Sequence, residues 1–391
     1  MDEAIQSGVC SGSRRDVRPL LVHVSQHYRP IGGGQEVYIE NLSRVMSGAG
    51  WDNRVIQPYR GVTAPDTATV PRIPGMARVF PVFDELQFAC FAAACRVSLL
   101  NRADVILCHY ASTAALIARI PRWRRKTIVL SHGVEWNVDR MNVSDRLRES
   151  NARRLFGTVT TVANDTDYLR RMGMNAAPRD RLFSELSPGV WFVPNCVNTV
   201  QFSINPVPDV LDPGKPTILV PRQICLDRGI HLAIEAFASL VVRWPGARLI
   251  IIGQASEPCY YKRCCALAAS LGLGNQIEFR TPVSNGEMPR LYASADVTLI
   301  PTLRREGTSL SALESMACGV PVVATDVAGL CDLPAFLCRP VASALADGLD
   351  AVLLSRNDEA RRQRRAVCEQ YSIEAWAVSW LRVLTSVRTG E

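Results

Sequence analysis

Short apolar runs rich in β-branched residues recur along this chain, separated by stretches of helical period. LLVHVS begins at Leu20, NRVIQPY at Asn53, ADVILCHY at Ala103, TIVLSHGVEW at Thr127 and TVTTVAND at Thr158. A second set follows a proline-rich interval: TILVPRQ from Thr217, ARLIIIGQ from Ala247, VTLIP from Val297 and PVVAT from Pro321. Nearly every position in these runs is apolar, which marks strands covered on both faces, as in a parallel sheet. VYIENLSRVMSGAG after Glu36, the apolar segment 79–100 and the amphipathic YSIEAWAVSWLRVL from Tyr371 read as helices. Strands alternating with helices predict an α/β architecture of doubly wound sheets. The interval NPVPDVLDPGKP after Ile204 divides the two sets.

The stretch from Ala293 to Leu330 has the clearest local grammar. Val297 to Ile300 is a buried strand that Pro301 and Thr302 stop. A polar loop follows, then a helix through Leu310, Leu313 and Met316 that Thr308 or Ser309 is placed to cap. Gly319 fits its end, and PVVAT is the next strand. In such a unit ligands bind at the carboxyl ends of the strands. The amides of Gly307, Thr308, Ser309 and Leu310 lie at a helix N-terminus, where they suit a phosphate. Glu306 and Glu314 flank them, eight residues apart, about two helical turns. Acids beside an anion site make sense when the ligand also carries hydroxyls, which carboxylates accept hydrogen bonds from.

Further strand-end residues join them. Gly33 and Gly34 lie in a glycine triplet between the first strand and its helix, leaving room and free amides for an anion. His132 closes the strand from Thr127 and precedes a glycine. Arg222 and Arg228 occupy the loop after the strand from Thr217, placed for phosphate.

Composition narrows the classes. A chain of 391 residues, 48% hydrophobic and 21% charged, is a soluble globular protein of two ordinary domains. A net charge of +7 admits anionic partners, but no nucleic-acid-binding motif accompanies it, so no nucleic acid is expected. The thirteen cysteines include no C-x-x-C pair and read as reduced, mostly buried thiols. No D-x-D element stands in a metal-binding loop, so no metal is expected. Residues 1–17 lack the apolar core of a secretory signal and read as a disordered extension, which points to the cytoplasm. Segment 79–100 is too short and too interrupted by charge to span a bilayer and reads as a core helix; the alternative is a peripheral membrane-docking face on the inner leaflet, together with the basic segment 118–126 around Trp123.

E-G-x6-E followed by MACGVPVVAT resembles the signature of the retaining glycosyltransferase family 4, whose fold is GT-B: two Rossmann-like domains facing across a cleft. P-x-x-G-G-x-E at 30–36 and V-P-N-x-V-N-x-x-x-F at 193–202 resemble further family elements, so the likeness covers about 20–385. It implies an acceptor-side domain at 18–203, a nucleotide-sugar domain at 204–370, and a helix at 371–391 that crosses back. It implies that Glu306 contacts donor-sugar hydroxyls, Glu314 the ribose, and Gly33 and Gly34 the donor phosphate and acceptor. By the same resemblance His132 contacts the transferred sugar or the acceptor, Arg222 and Arg228 hold the diphosphate, and Val283 lies on the path past the nucleobase. Arg228 stands where the family usually has lysine, and Thr281 near where many members have glycine. The implied reaction is retaining transfer of a sugar from a nucleotide-diphosphate donor, such as a UDP- or GDP-sugar, to a hydroxyl acceptor: a glycan, a lipid-linked glycan or a secondary metabolite. No cofactor is implied. The alternatives are a catalytically silent sugar-nucleotide-binding subunit and a carbohydrate phosphorylase, the latter lacking a suitable pyridoxal lysine.

Overall fold

The apolar runs become the centres of two sheets. A computed structural model describes residues 18–30, 33–73, 81–174, 182–203 and 214–390. The expected extension at 1–17, Gly32 of the glycine triplet and most of the proline-rich interval lie outside these residues.

Among the described residues the first sheet holds β1 (Leu20–Val24), β2 (Asp52–Pro58), β3 (Thr67–Val70), β4 (Val105–Cys108), β5 (Thr127–Ser131), β6 (Thr160–Ala163), β7 (Ser184–Ser187) and β8 (Val190–Phe192). Their order is β3-β2-β1-β4-β5-β6-β8-β7, parallel except for the antiparallel pair β7–β8. The second sheet holds β9 (Thr217–Pro221), β10 (Arg248–Ile252), β11 (Ile277–Arg280), β12 (Val297–Ile300), β13 (Val322–Thr325) and β14 (Phe336–Cys338), all parallel, in the order β11-β10-β9-β12-β13-β14. Both orders run outward one way from a first strand and then reverse. The reversal creates a crevice between β1 and β4 and another between β9 and β12.

β4 and β5 are buried at every position, as strands with helices on both faces must be. One core layer of the first sheet takes its large side chains from Trp51, Trp191, Trp376 and Trp380. The last two belong to the helix Ile373–Thr389, so the chain's final element packs on its first sheet. Trp380 Nε1 donates to Tyr38 Oη at 3.0 Å. Val197 N donates to Tyr371 O at 2.9 Å where the chain re-enters this half.

The described part of the apolar segment 79–100 forms two helices, Pro81–Cys95 and Val97–Arg102, broken at Arg96, whose guanidinium donates to Thr69 O. Phe88, Ala89 and Ala92 are buried, as a core helix requires. Trp123 is 1% exposed and donates to Asn101 Oδ1 at 2.8 Å. The ring is thus absorbed by packing and presents no face to lipid. Among the described residues no helix is long and apolar enough to cross a membrane. Of the described cysteines, Cys108, Cys196, Cys225, Cys264, Cys318 and Cys338 are buried, and Cys90, Cys95 and Cys259 are exposed.

Candidate active site

The two crevices face each other across a cleft of about 730 Å³. Gly33, Gly34, His132 and Gly133 line it from the first sheet; Arg222, Arg228, Val283, Glu306, Gly307, Thr308, Leu310 and Glu314 line it from the second. Of the residues expected from sequence, only Ser309 is not on the wall; it is buried beneath it.

Arg222 leaves the end of β9 with 8% of its surface exposed. One guanidinium nitrogen donates to Glu306 Oε2, and weaker contacts of 3.4 Å reach Ser309 Oγ and Thr302 Oγ1. Arg228 ends the short turn Leu226–Arg228 and also donates to Glu306 Oε2, with a second bond to Arg305 O at 3.0 Å. Gly229 makes this turn possible: its φ is +66°, and a Cβ there would sit 1.9 Å from Pro301 O. Burial alone would push the Glu306 carboxyl up. The two guanidiniums outweigh it and hold the carboxyl below the ordinary range.

The helix Leu310–Ala317 begins after Ser309, but neither expected hydroxyl caps it. Ser309 Oγ faces Arg222, and Thr308 Oγ1 donates to Asn164 O on the opposite sheet. The capping positions are therefore right and the capping bonds absent. The amides of Thr308, Ser309 and Leu310 donate to no backbone or side-chain group among the described residues. They remain available at a helix N-terminus that opens on the cleft.

Glu314, two turns along, is 9% exposed rather than a solvated surface acid. Its Oε2 accepts from Tyr292 Oη at 2.9 Å. Burial pushes its pKa up to about 7, and the tyrosine bond opposes this only in part. Val283, 38% exposed, lies with Pro282, Asn285 and Met288 on the wall near Ile252 and Gly253.

Several cleft residues had no role assigned from sequence, although Asn195 lies in the V-P-N element at 193–202. Asn195 Nδ2 donates to Thr308 O, and Asn164 receives the Thr308 hydroxyl; both join the sheets. Thr166 N donates to Asp332 Oδ2 at 2.9 Å along the same seam. At its centre backbone meets backbone. A Cβ on Gly307 would lie 2.7 Å from His132 O and 2.8 Å from the Asn164 amide. His132 itself leans on a buried neighbour, with His132 Nε2 2.9 Å from His109 Nδ1. His109 directly follows β4 as His132 directly follows β5, a relation that only strand register reveals.

Comparisons with known proteins point to the same fold. The family described as Glycosyltransferase Family 4 matches residues 32–178, and the one described as Glycosyl transferases group 1 matches 204–371. A D-inositol 3-phosphate glycosyltransferase of Acidothermus cellulolyticus is 34% identical over 143 residues, covering 34% of this chain and 29% of that relative. One from Segniliparus rotundus is 24% identical over 376 residues, covering 85% and 78%. The first two relatives are thus matched over only about a third of their own length, 29% and 37%. Among solved structures, sucrose-phosphate synthase from Thermosynechococcus elongatus superposes with a TM-score of 0.79 at 19% identity, covering 96% of this chain and all of the other. Anabaena HepE in complex with UDP and glucose gives 0.70 at 15% identity, covering 94% and 100%.

Proposed function

We propose, from the premise that this chain belongs to the family 4 glycosyltransferases, of GT-B fold, that it moves a sugar from a nucleoside-diphosphate donor to a hydroxyl acceptor with retention of configuration. The observation that carries this reading is one constellation at facing strand ends. Arg222, Arg228, three unengaged amides and the two acids Glu306 and Glu314 converge opposite Gly33, Gly34 and His132. Guanidiniums and amides neutralise a diphosphate, and buried carboxylates accept from hydroxyls. A nucleotide sugar offers both.

In this reading the donor's diphosphate takes over the guanidiniums that Glu306 engages. Glu306 is then freed to accept from the sugar's hydroxyls and to balance positive charge growing at the anomeric carbon. Glu314 accepts from the ribose hydroxyls, and Val283 flanks the base. The departing diphosphate oxygen, stabilised by Arg222, Arg228 and the amides, takes the acceptor's proton as the new bond forms on the same face. Electrostatic stabilisation and positioning supply the acceleration. The acceptor, a carbohydrate or a lipid-linked one, enters from the side of Gly33 and His132. The enzyme is metal-independent, works in the cytoplasm, and serves polysaccharide or glycolipid synthesis.

The test is a thermal-shift screen against UDP, GDP and ADP and their sugars, followed by an assay of nucleotide release. Stabilisation by one base series and turnover that survives EDTA are expected. Loss of turnover on chelation, restored by Mg²⁺, overturns the metal-independent mechanism; no response to any nucleotide overturns the reading. Binding without turnover favours a silent binding subunit.

A further inference from the structure

Behind the cleft, three histidines from adjacent strands form one hydrogen-bonded row. His23 of β1 lies 3.2 Å through Nδ1 from His109 Nε2, and His109 Nδ1 lies 2.9 Å from His132 Nε2. The ring planes differ by 24° and 11°, with centroids 5.4 and 5.2 Å apart. Those separations are what the N···N distances and two ring radii add up to. The rings therefore meet edge to edge, with lone pairs and N–H groups aligned. Tyr38 closes over the outer ring, edge-on at 5.1 Å to His132.

His23 and His109 are completely buried. Burial pushes His23 and His132 down to about 4 and His109 well down, helped for His109 by its two neighbours, so all three rings are neutral at pH 7. A neutral imidazole has one N–H and one lone pair. Each junction needs one of each, so the row has only two states, all N–H groups pointing inward or all outward.

The inner end selects between them. Asn53 Nδ2 faces Ser43 O at 3.2 Å, Ser47 Oγ at 3.0 Å and Trp51 O at 3.2 Å, which fixes the amide with its oxygen turned the other way. Asn53 Oδ1 and His23 Nε2 are both buried, and among the described residues neither has a hydrogen-bond partner, which leaves each as the available complement of the other. Asn53 acts on His23 as a hydrogen-bonding neighbour. An amide oxygen only accepts, so His23 Nε2 must carry the proton. His109 Nε2 then donates to His23 Nδ1, and His132 Nε2 donates to His109 Nδ1.

We propose that His109 and His23, anchored by Asn53, are positioning residues that lock His132 in the tautomer protonated on Nε2, so that a bare Nδ1 faces the cleft. Among the described residues His132 Nδ1 bonds to no protein group and is not one of the buried unpartnered atoms, so it opens on the cleft. Resting on the transferase reading, this makes His132 a hydrogen-bond acceptor for a sugar or acceptor hydroxyl and not a donor to a ring or ether oxygen. The row is not a proton drain: a proton passed inward would strand a cation on His23, in the core.

The test is two-bond ¹H–¹⁵N correlation on the full chain with ¹⁵N-labelled histidine, only five residues to resolve. At pH 7.5 (roughly the middle of the range where a free histidine is neutral), His132 should show a protonated Nε2 and an unprotonated Nδ1 in the ligand-free protein. His109→Phe should shift both His132 nitrogens toward averaged values, while His109→Asn, which keeps an acceptor at the Nδ1 position, should retain the wild-type pattern. With a donor that turns over, His109→Phe should lower kcat by roughly 10- to 100-fold, the range seen when an orienting partner is lost. A His132 proton on Nδ1 in the wild type, which no folding failure of a variant can mimic, overturns the proposal. So does an unchanged His132 pattern in a folded His109→Phe protein. The expected tautomer in a protein that turns over no nucleotide sugar would instead sink the transferase reading and leave the relay standing.

Discussion

Glu306 stays charged in a buried place because Arg222 and Arg228 both donate to one of its oxygens. That pairing competes with any diphosphate that needs the same guanidiniums. Glu306→Gln should therefore tighten the free nucleoside diphosphate by about 1 kcal/mol, the net worth of a hydrogen bond, while lowering kcat strongly. Calorimetry that finds weaker binding would show that Glu306 assists the phosphate site instead. Arg222→Ala should weaken the same ligand by about 1.5–3 kcal/mol. Glu314 makes the opposite kind of prediction. Its pKa of about 7 in the fold exceeds the ordinary 4.5, so the native chain holds the proton more tightly than the unfolded one. Stability from this group is full below pH 4.5 and is lost as pH rises through 7. Glu314→Gln keeps an acceptor for Tyr292 and removes that loss. The ligand-free variant should melt higher at pH 8, by an amount corresponding to about 2–3 kcal/mol, with the gain vanishing near pH 4. The same variant should lose the stabilisation a nucleotide gives. Scanning fluorimetry across pH, with and without UDP, reads both.

At the scale of elements, the sequence disclosed what has a period or a punctuation mark. Arg222, Glu306 and Glu314 were legible because each sits at or beyond the end of an apolar run, where a parallel sheet puts its ligands. β3 escaped because TATV is neither long nor strongly apolar, and β7 because SELS pairs antiparallel at an edge with its side chains only partly covered. The expected caps failed for a local reason: the Thr308 hydroxyl found a partner across the cleft in Asn164 O, and the Ser309 hydroxyl found Arg222 on its own side. His109 and His23 were illegible because their relation to His132 depends on the register of β1, β4 and β5, which periodicity does not set. The terminal helix was legible through its tryptophans, and its energetics follow from them. Trp376 and Trp380 are 1% and 0% exposed. Trp380→Ala should cost about 3–5 kcal/mol and free Tyr38, which closes over His132. Denaturant melts followed by tryptophan fluorescence check this; a cost below 1 kcal/mol (roughly one surface substitution) would mean the helix is a loose strap.

For the whole molecule, the two sheets touch along a seam made of Gly133, Asn164 and Thr166 on one side and Glu306, Gly307, Thr308 and Asp332 on the other. Gly307→Ala tests what that seam is for. Its Cβ would collide with His132 O and Asn164, which belong to the other half of the molecule. The variant should fold and melt like the parent but hold the cleft ajar, lowering kcat with little change in nucleotide affinity. Solution scattering of the parent should show contraction on adding nucleotide, and the variant should contract less.

A seam of peptide groups and amides also has a thermal signature. Separating its hydrogen bonds and close-packed glycines wets polar groups, and polar and apolar hydration change heat capacity with opposite sign. Closure should then be nearly silent in ΔCp, or slightly positive, where docking two apolar faces would be strongly negative. Titration calorimetry with a nucleoside diphosphate at several temperatures should give a binding enthalpy that barely slopes. A steep negative slope would mean that closure buries side chains not in contact along this seam.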